Sequence, residues 1–117
     1  MRFMMMTTDD GSSAGTPPSP EMYAEMGKLI EEMTKAGVLL ATGGLAPHPT
    51  RIKSSGGKVN VTDGPFTEAK EVVGGYAIVE VKSRDEALKI ARDFMELHQV
   101  HWPSFEGESE VRPLEDY

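Results

Sequence analysis

The sequence predicts an α+β fold, a single β-sheet carrying two helices on one face. Three observations point to it. Two stretches place apolar residues at helical spacing behind clear capping signals. Six shorter stretches alternate or run apolar in the manner of strands. Their order along the chain reads βα, then a strand with a hairpin, then βαβ. With 117 residues, 38% of them hydrophobic and 26% charged, the chain has the composition of a globular protein, and residues 1–117 are expected to form one domain.

The first strand is expected over Met1–Thr8, where Phe3, Met4, Met5 and Met6 are consecutive and so demand cover on both faces. A Gly/Ser/Thr/Pro loop follows from Asp9 to Pro18. Ser19 is a good N-cap, Pro20 suits the first helical position and Glu21 complements the helix dipole. Met22, Met26, Leu29, Ile30 and Met33 then form an apolar stripe, read as core, while Glu31 and Lys35 are spaced for an ion pair and Gly37 for a left-handed cap. Val38–Ala41 reads as a short buried strand broken by Gly43 and Gly44. Arg51–Lys53 and Lys58–Thr62 make a hairpin around Ser54-Ser55-Gly56-Gly57. Asp63-Gly64-Pro65-Phe66 is a turn, and Tyr76–Lys82 is a strand with Ala77, Val79 and Val81 on one face. Ser83-Arg84-Asp85-Glu86 is a capping box opening the second helix, whose buried side is Ala87, Leu88, Ile90, Ala91, Phe94 and Met95. Pro103 stops it, and Ser109–Leu114 fits a final strand.

Twelve basic residues against 19 acidic ones give a net charge of −7. A nucleic-acid binder needs a basic face to displace counterions, and an anionic membrane needs the same, so neither is an expected partner. The absence of cysteine excludes disulfides, thiolate metal sites and thiol nucleophiles. No run reaches a membrane-spanning length and no signal-peptide pattern opens the chain, so a cytoplasmic protein is expected.

Two helices cover one face of a sheet, yet the first strand, Val38–Ala41, Tyr76 and Ile78 carry apolar groups on both. Each large side chain left in water forfeits about 1.5–3 kcal/mol. A second copy of the chain is the simplest cover, so a symmetric homodimer with facing sheets is expected.

Val61-Thr62-Asp63-Gly64-Pro65-Phe66, then Glu68, Lys70, Glu71 and Gly74-Gly75-Tyr76, resemble the signature of the YCII-related, DGPF-type family. The likeness continues through Ala36-Gly37, Gly44-Leu45, Ser83 to Leu88 and Glu110-Val111-Arg112-Pro113-Leu114. The resemblance implies a ferredoxin-like βαββαβ domain with an extra hairpin, assembled as a dimeric α+β barrel enclosing a cleft. It implies no established reaction. Some relatives resemble domains attached to extracytoplasmic-type sigma factors, which leaves a non-catalytic regulatory or protein-interaction module as the alternative to a small-molecule site. The Asp9–Pro18 loop and the segment Met95–Glu106 depart from the short form of the family.

Candidate catalytic residues are His98, His101 and Asp63. The two histidines, three apart near a helix end, can shuttle protons or supply two metal ligands; equally, they can satisfy terminal carbonyls. No third ligand is placed, so no metal and no cofactor is expected. Asp63 can act as a base or simply hold its turn. Tyr76, Phe66 and Trp102 are candidate ligand-binding residues, each also suited to a core. His48 reads as a loop residue, and Glu68, Lys70 and Glu71 as a solvated charge run. Neither glycine pair has phosphate-loop spacing, and no nucleophile-elbow serine is present.

Overall fold

A computed structural model describes residues 1–9, 17–46, 49–63 and 72–115. Its elements follow in the order β1 (Arg2–Asp9), α1 (Pro20–Lys35), β2 (Leu39–Gly44), β3 (Thr50–Ser55), β4 (Lys58–Asp63), β5 (Val72–Glu80), α2 (Arg84–His101) and β6 (Gly107–Pro113). Four strands form an antiparallel sheet in the order β2-β5-β1-β6, and β3 pairs with β4 apart from it. With that hairpin set aside, the arrangement is the ferredoxin-like βαββαβ fold.

The capping residues act as their types require. Ser19 Oγ accepts from the Met22 amide at 3.1 Å and donates its own proton to the His101 carbonyl at 2.7 Å. One hydroxyl thus starts α1 and ties it to the end of α2. The Glu31–Lys35 pair forms at 2.9 Å, and Gly37 takes the left-handed cap with φ +72°. In α2, Ser83 Oγ accepts from the Glu86 amide at 3.2 Å. The Glu86 carboxylate reaches one residue further back than a capping box requires, to the Lys82 amide at 2.9 Å. Gly56 and Gly57, at φ +60° and +76°, make the tight turn of the hairpin.

The strand limits differ from the sequence reading chiefly at glycines. β2 runs through Gly43 and Gly44 instead of stopping at Ala41. Tyr76 lies opposite Gly43 and covers it, so close that a Cβ on Gly43 would meet the ring at 3.0 Å. Thr42 Oγ1 adds a bond to the Tyr76 carbonyl at 2.9 Å. β5 begins at Val72, four residues before the expected start, because Gly74 is taken up as a bulge between the partners of Thr7 and Thr8.

Phe3, Met5, Leu39, Val79, Val81, Ala87 and Ala91 form the core between sheet and helices. Leu88, expected inside, is 36% exposed. The opposite sheet face carries Met4, Met6, Tyr76 and Ile78, all half-buried, with both helices packed on the other side.

Candidate functional site

Ile90, Ala91, Phe94 and His98 follow the inner face of α2 at helical spacing. Facing them across the interior are Met5 and Thr7 of β1, Ala77 and Val79 of β5, and Met26, Leu29 and Ile30 of α1. The space they leave is a cavity of about 390 Å³, between the helices and the sheet of one chain. That size lies at the lower end of small-ligand pockets, about 300–1,000 Å³. The sheet end of the cavity is bordered by Gly43, Gly44, Gly74 and Gly75. The methionine stripe is therefore not all core, since Met26 borders the space.

His98 is the buried titratable group of this wall, only 5% exposed. Its Nδ1 lies 3.0 Å from the Phe94 carbonyl. A carbonyl only accepts, so Nδ1 carries the proton and Nε2 keeps a lone pair. No buried side-chain nitrogen or oxygen among the described residues lacks a partner, and Nε2 makes none of the hydrogen bonds described, so it opens on accessible space. Burial pushes the His98 imidazole below its usual pKa of 6.5, against the opposing pull of the Phe94 carbonyl. The ring is neutral near pH 7, as a proton acceptor must be. Aromatic rings surround it: Phe94 at 4.7 Å edge-on, Phe105 at 4.6 Å, and Trp102 stacked at 6.0 Å.

Gly107 holds Phe105 in this cluster. A Cβ there would collide with the Thr8 carbonyl oxygen and the Phe105 ring, which fixes how closely β6 and the preceding loop approach β1. His98 and Phe105 also border a second, more open groove on the outer side, beside Arg92, Glu96 and Gln99.

The structure sets the candidate residues of the sequence in different places. The cavity of the single chain lies under its helices, against the inner face of the sheet. Of the two histidines, His98 borders the cavity and His101 does not, its carbonyl receiving Ser19. Asp63 is exposed at the end of β4, where its Oδ1 accepts from Thr50 Oγ1 at 2.8 Å. It braces the hairpin and borders no part of the cavity. Tyr76 and Trp102 do border it. Phe66, His48, Glu68, Lys70 and Glu71 lie outside the described residues. Among the described residues, no group of three His, Asp or Glu side chains is arranged to hold a metal, and no helix is long and apolar enough to cross a membrane.

The sequence matches the YCII-related domain over residues 1–97. The chain belongs to the YCII-related family. An uncharacterised protein of Rhizobium meliloti is 35% identical over 95 residues, which cover 80% of this chain and 73% of that protein. Among solved structures, 5-chloro-2-hydroxyhydroquinone dehydrochlorinase (TftG) of Burkholderia phenoliruptrix AC1100, in complex with 2,5-dihydroxybenzoquinone, is similar with a TM-score of 0.54. It is 16% identical, and the alignment covers 98% of this chain and 94% of that one, a likeness of fold. CutA1 of Pyrococcus horikoshii aligns over 100% of this chain and 86% of its own at 14% identity, with a TM-score of 0.33.

In this YCII-related chain the sequence points to His98, Trp102 and Tyr76 but gives little sign of Thr7, Phe105 or Ser109. Thr7 and Ser109 are cross-strand partners on adjacent strands, a proximity that only the β1–β6 register creates. Phe94 had a usable signal, since it stands four residues before His98 on the same helical face.

Proposed function

We propose that this YCII-related protein binds a small, flat organic molecule in the cavity between its helices and sheet, with His98 Nε2 accepting a hydrogen bond or a proton from it. The single observation carrying this reading is a neutral, buried histidine with an unshared Nε2 lone pair in the wall of a largely apolar cavity. Phe94, Trp102 and Phe105 supply aromatic surface for a planar ring. Were the bound molecule also transformed, a proton acceptor so placed would contribute about 10²–10⁴-fold. A second copy covering the outer sheet face, and a cytoplasmic location, belong to the same reading.

The test uses Trp102, the one tryptophan of the chain, as a reporter already in the cavity wall. The quinone bound by the fold neighbour, 2,5-dihydroxybenzoquinone, serves as the probe. The expected result is a saturable change in Trp102 fluorescence, confirmed by calorimetry with one site per chain. Linear, non-saturating quenching with no measurable heat would contradict binding of this class of molecule.

A further inference from the structure

Strand register sorts the inner face of the sheet into rungs, because every second residue of a strand points the same way. The first rung joins Leu39, Val79 and Phe3 and belongs to the core. In the second, Met5 stands between Ala77 and Val111. Thr42 is also on this rung, but its hydroxyl already donates to the Tyr76 carbonyl at 2.9 Å. The third rung runs Gly44, Gly75, Thr7 and Ser109 across all four strands, and all four residues border the cavity. Its polar side chains are those of Thr7 and Ser109. Both residues are half-buried, and among the described residues neither hydroxyl has a hydrogen-bond partner. No buried side-chain oxygen among them is left unsatisfied, so both hydroxyl oxygens open on accessible space. The pair stands at the His98 end of the cavity. Gly107 of β6, opposite Asp9, lies against the Phe105 ring, whose centroid is 4.6 Å from that of His98. Ser109 is two residues further along the same strand, about 7 Å.

We propose that Thr7 and Ser109 make a second polar contact to the guest of this cavity, which narrows the ligand class to a small ring carrying two oxygen substituents. It rests on the cavity reading above and adds how many polar groups the guest carries and what meets them. His98 Nε2, with its bare lone pair, only accepts, so the group it holds is a hydroxyl. The Thr7 and Ser109 hydroxyls donate as well as accept, so the group they hold is a hydroxyl or a carbonyl oxygen. Between the two contacts the walls are mostly apolar and aromatic, as a ring requires. A guest with one polar group drives water from both contacts yet satisfies one of them, and a polar group stripped of water without a partner costs affinity. The hydroxyl pair therefore sets specificity: it selects rings with two handles over rings with one.

Calorimetry with phenol and the three benzenediols tests this, because each diol differs from phenol by one hydroxyl on the same ring. The unaltered protein is expected to bind at least one benzenediol about tenfold more tightly than phenol. In Thr7→Val/Ser109→Ala that preference is expected to fall to within about twofold. Valine keeps the shape of threonine and alanine removes a single atom, so circular dichroism should match the unaltered protein. Ser109→Ala alone, on the edge strand β6, is the milder second variant and should lower the preference by about threefold. A preference that survives intact in both variants would overturn the hydroxyl contact and leave the cavity's guest standing. So would an unaltered protein without any preference, whether the four rings bind alike or fail to bind while 2,5-dihydroxybenzoquinone succeeds. Absence of heat with every ring, 2,5-dihydroxybenzoquinone included, would remove the contact and the cavity reading together.

Discussion

Phe3→Ala is expected to lower the free energy of unfolding by about 3–5 kcal/mol, the usual cost of truncating a buried phenylalanine. Phe3 is 2% exposed and sits on β1, the strand that pairs with both β5 and β6. Its ring belongs to the cluster that joins Leu39 of β2, Val79 of β5 and Ala87 and Ala91 of α2. Removing it opens a void where sheet and helices meet, and small domains have a margin of only about 5–15 kcal/mol. Leu88→Ala, on a half-exposed residue of the same helical layer, is expected to cost less than about 1 kcal/mol. Urea denaturation with unchanged slope reads both values. A small effect at Phe3 would mean that the core lies elsewhere.

His98→Phe is expected to weaken binding of 2,5-dihydroxybenzoquinone by about threefold to tenfold, the loss of one hydrogen bond in an otherwise similar ring. A structural role alone would leave that affinity unchanged. The same substitution should alter the pH dependence of stability. Burial depresses the His98 pKa below 6.5, so below that pH the unfolded chain takes up a proton that the folded one refuses. The unaltered protein therefore loses stability as pH falls from 6.5 toward the depressed value, whereas His98→Phe loses this contribution to the slope. His101→Phe, which alters a ring outside the cavity wall, serves as the control for both readouts.

Local chemistry made the helices and the hairpin legible in the sequence. Ser19 and Ser83 act through bonds to residues three positions away, and Pro20 and Gly37 through their own backbone preferences; such signals need no knowledge of the fold. The site was legible only in part, for three physical reasons. Gly43, Gly44, Gly74 and Gly75 read as interruptions because a strand's cross-strand cover is invisible in one dimension; Tyr76 over Gly43 supplies it. Methionines stand on both faces of β1, so nothing local says that Met5 borders an interior cavity and Met6 does not. His98 and His101 are three positions apart, which turns them about 60° from one another on a helix. At a helix end that angle separates a ring inside the wall from one outside it. Asp63 was ambiguous for a related reason: its partner Thr50 lies across a hairpin, and the pairing satisfies the carboxylate away from the cavity.

The nitrogen-15 resonances of the His98 imidazole give the most direct test of a neutral proton acceptor at this cavity. At pH 7 the proton is expected on Nδ1, bound to the Phe94 carbonyl, with Nε2 bare, and the ring should titrate below 6.5. Added 2,5-dihydroxybenzoquinone should shift Nε2 in step with the Trp102 signal. A ring already protonated at pH 7, a proton on Nε2, or an Nε2 resonance that stays still while Trp102 responds would contradict it.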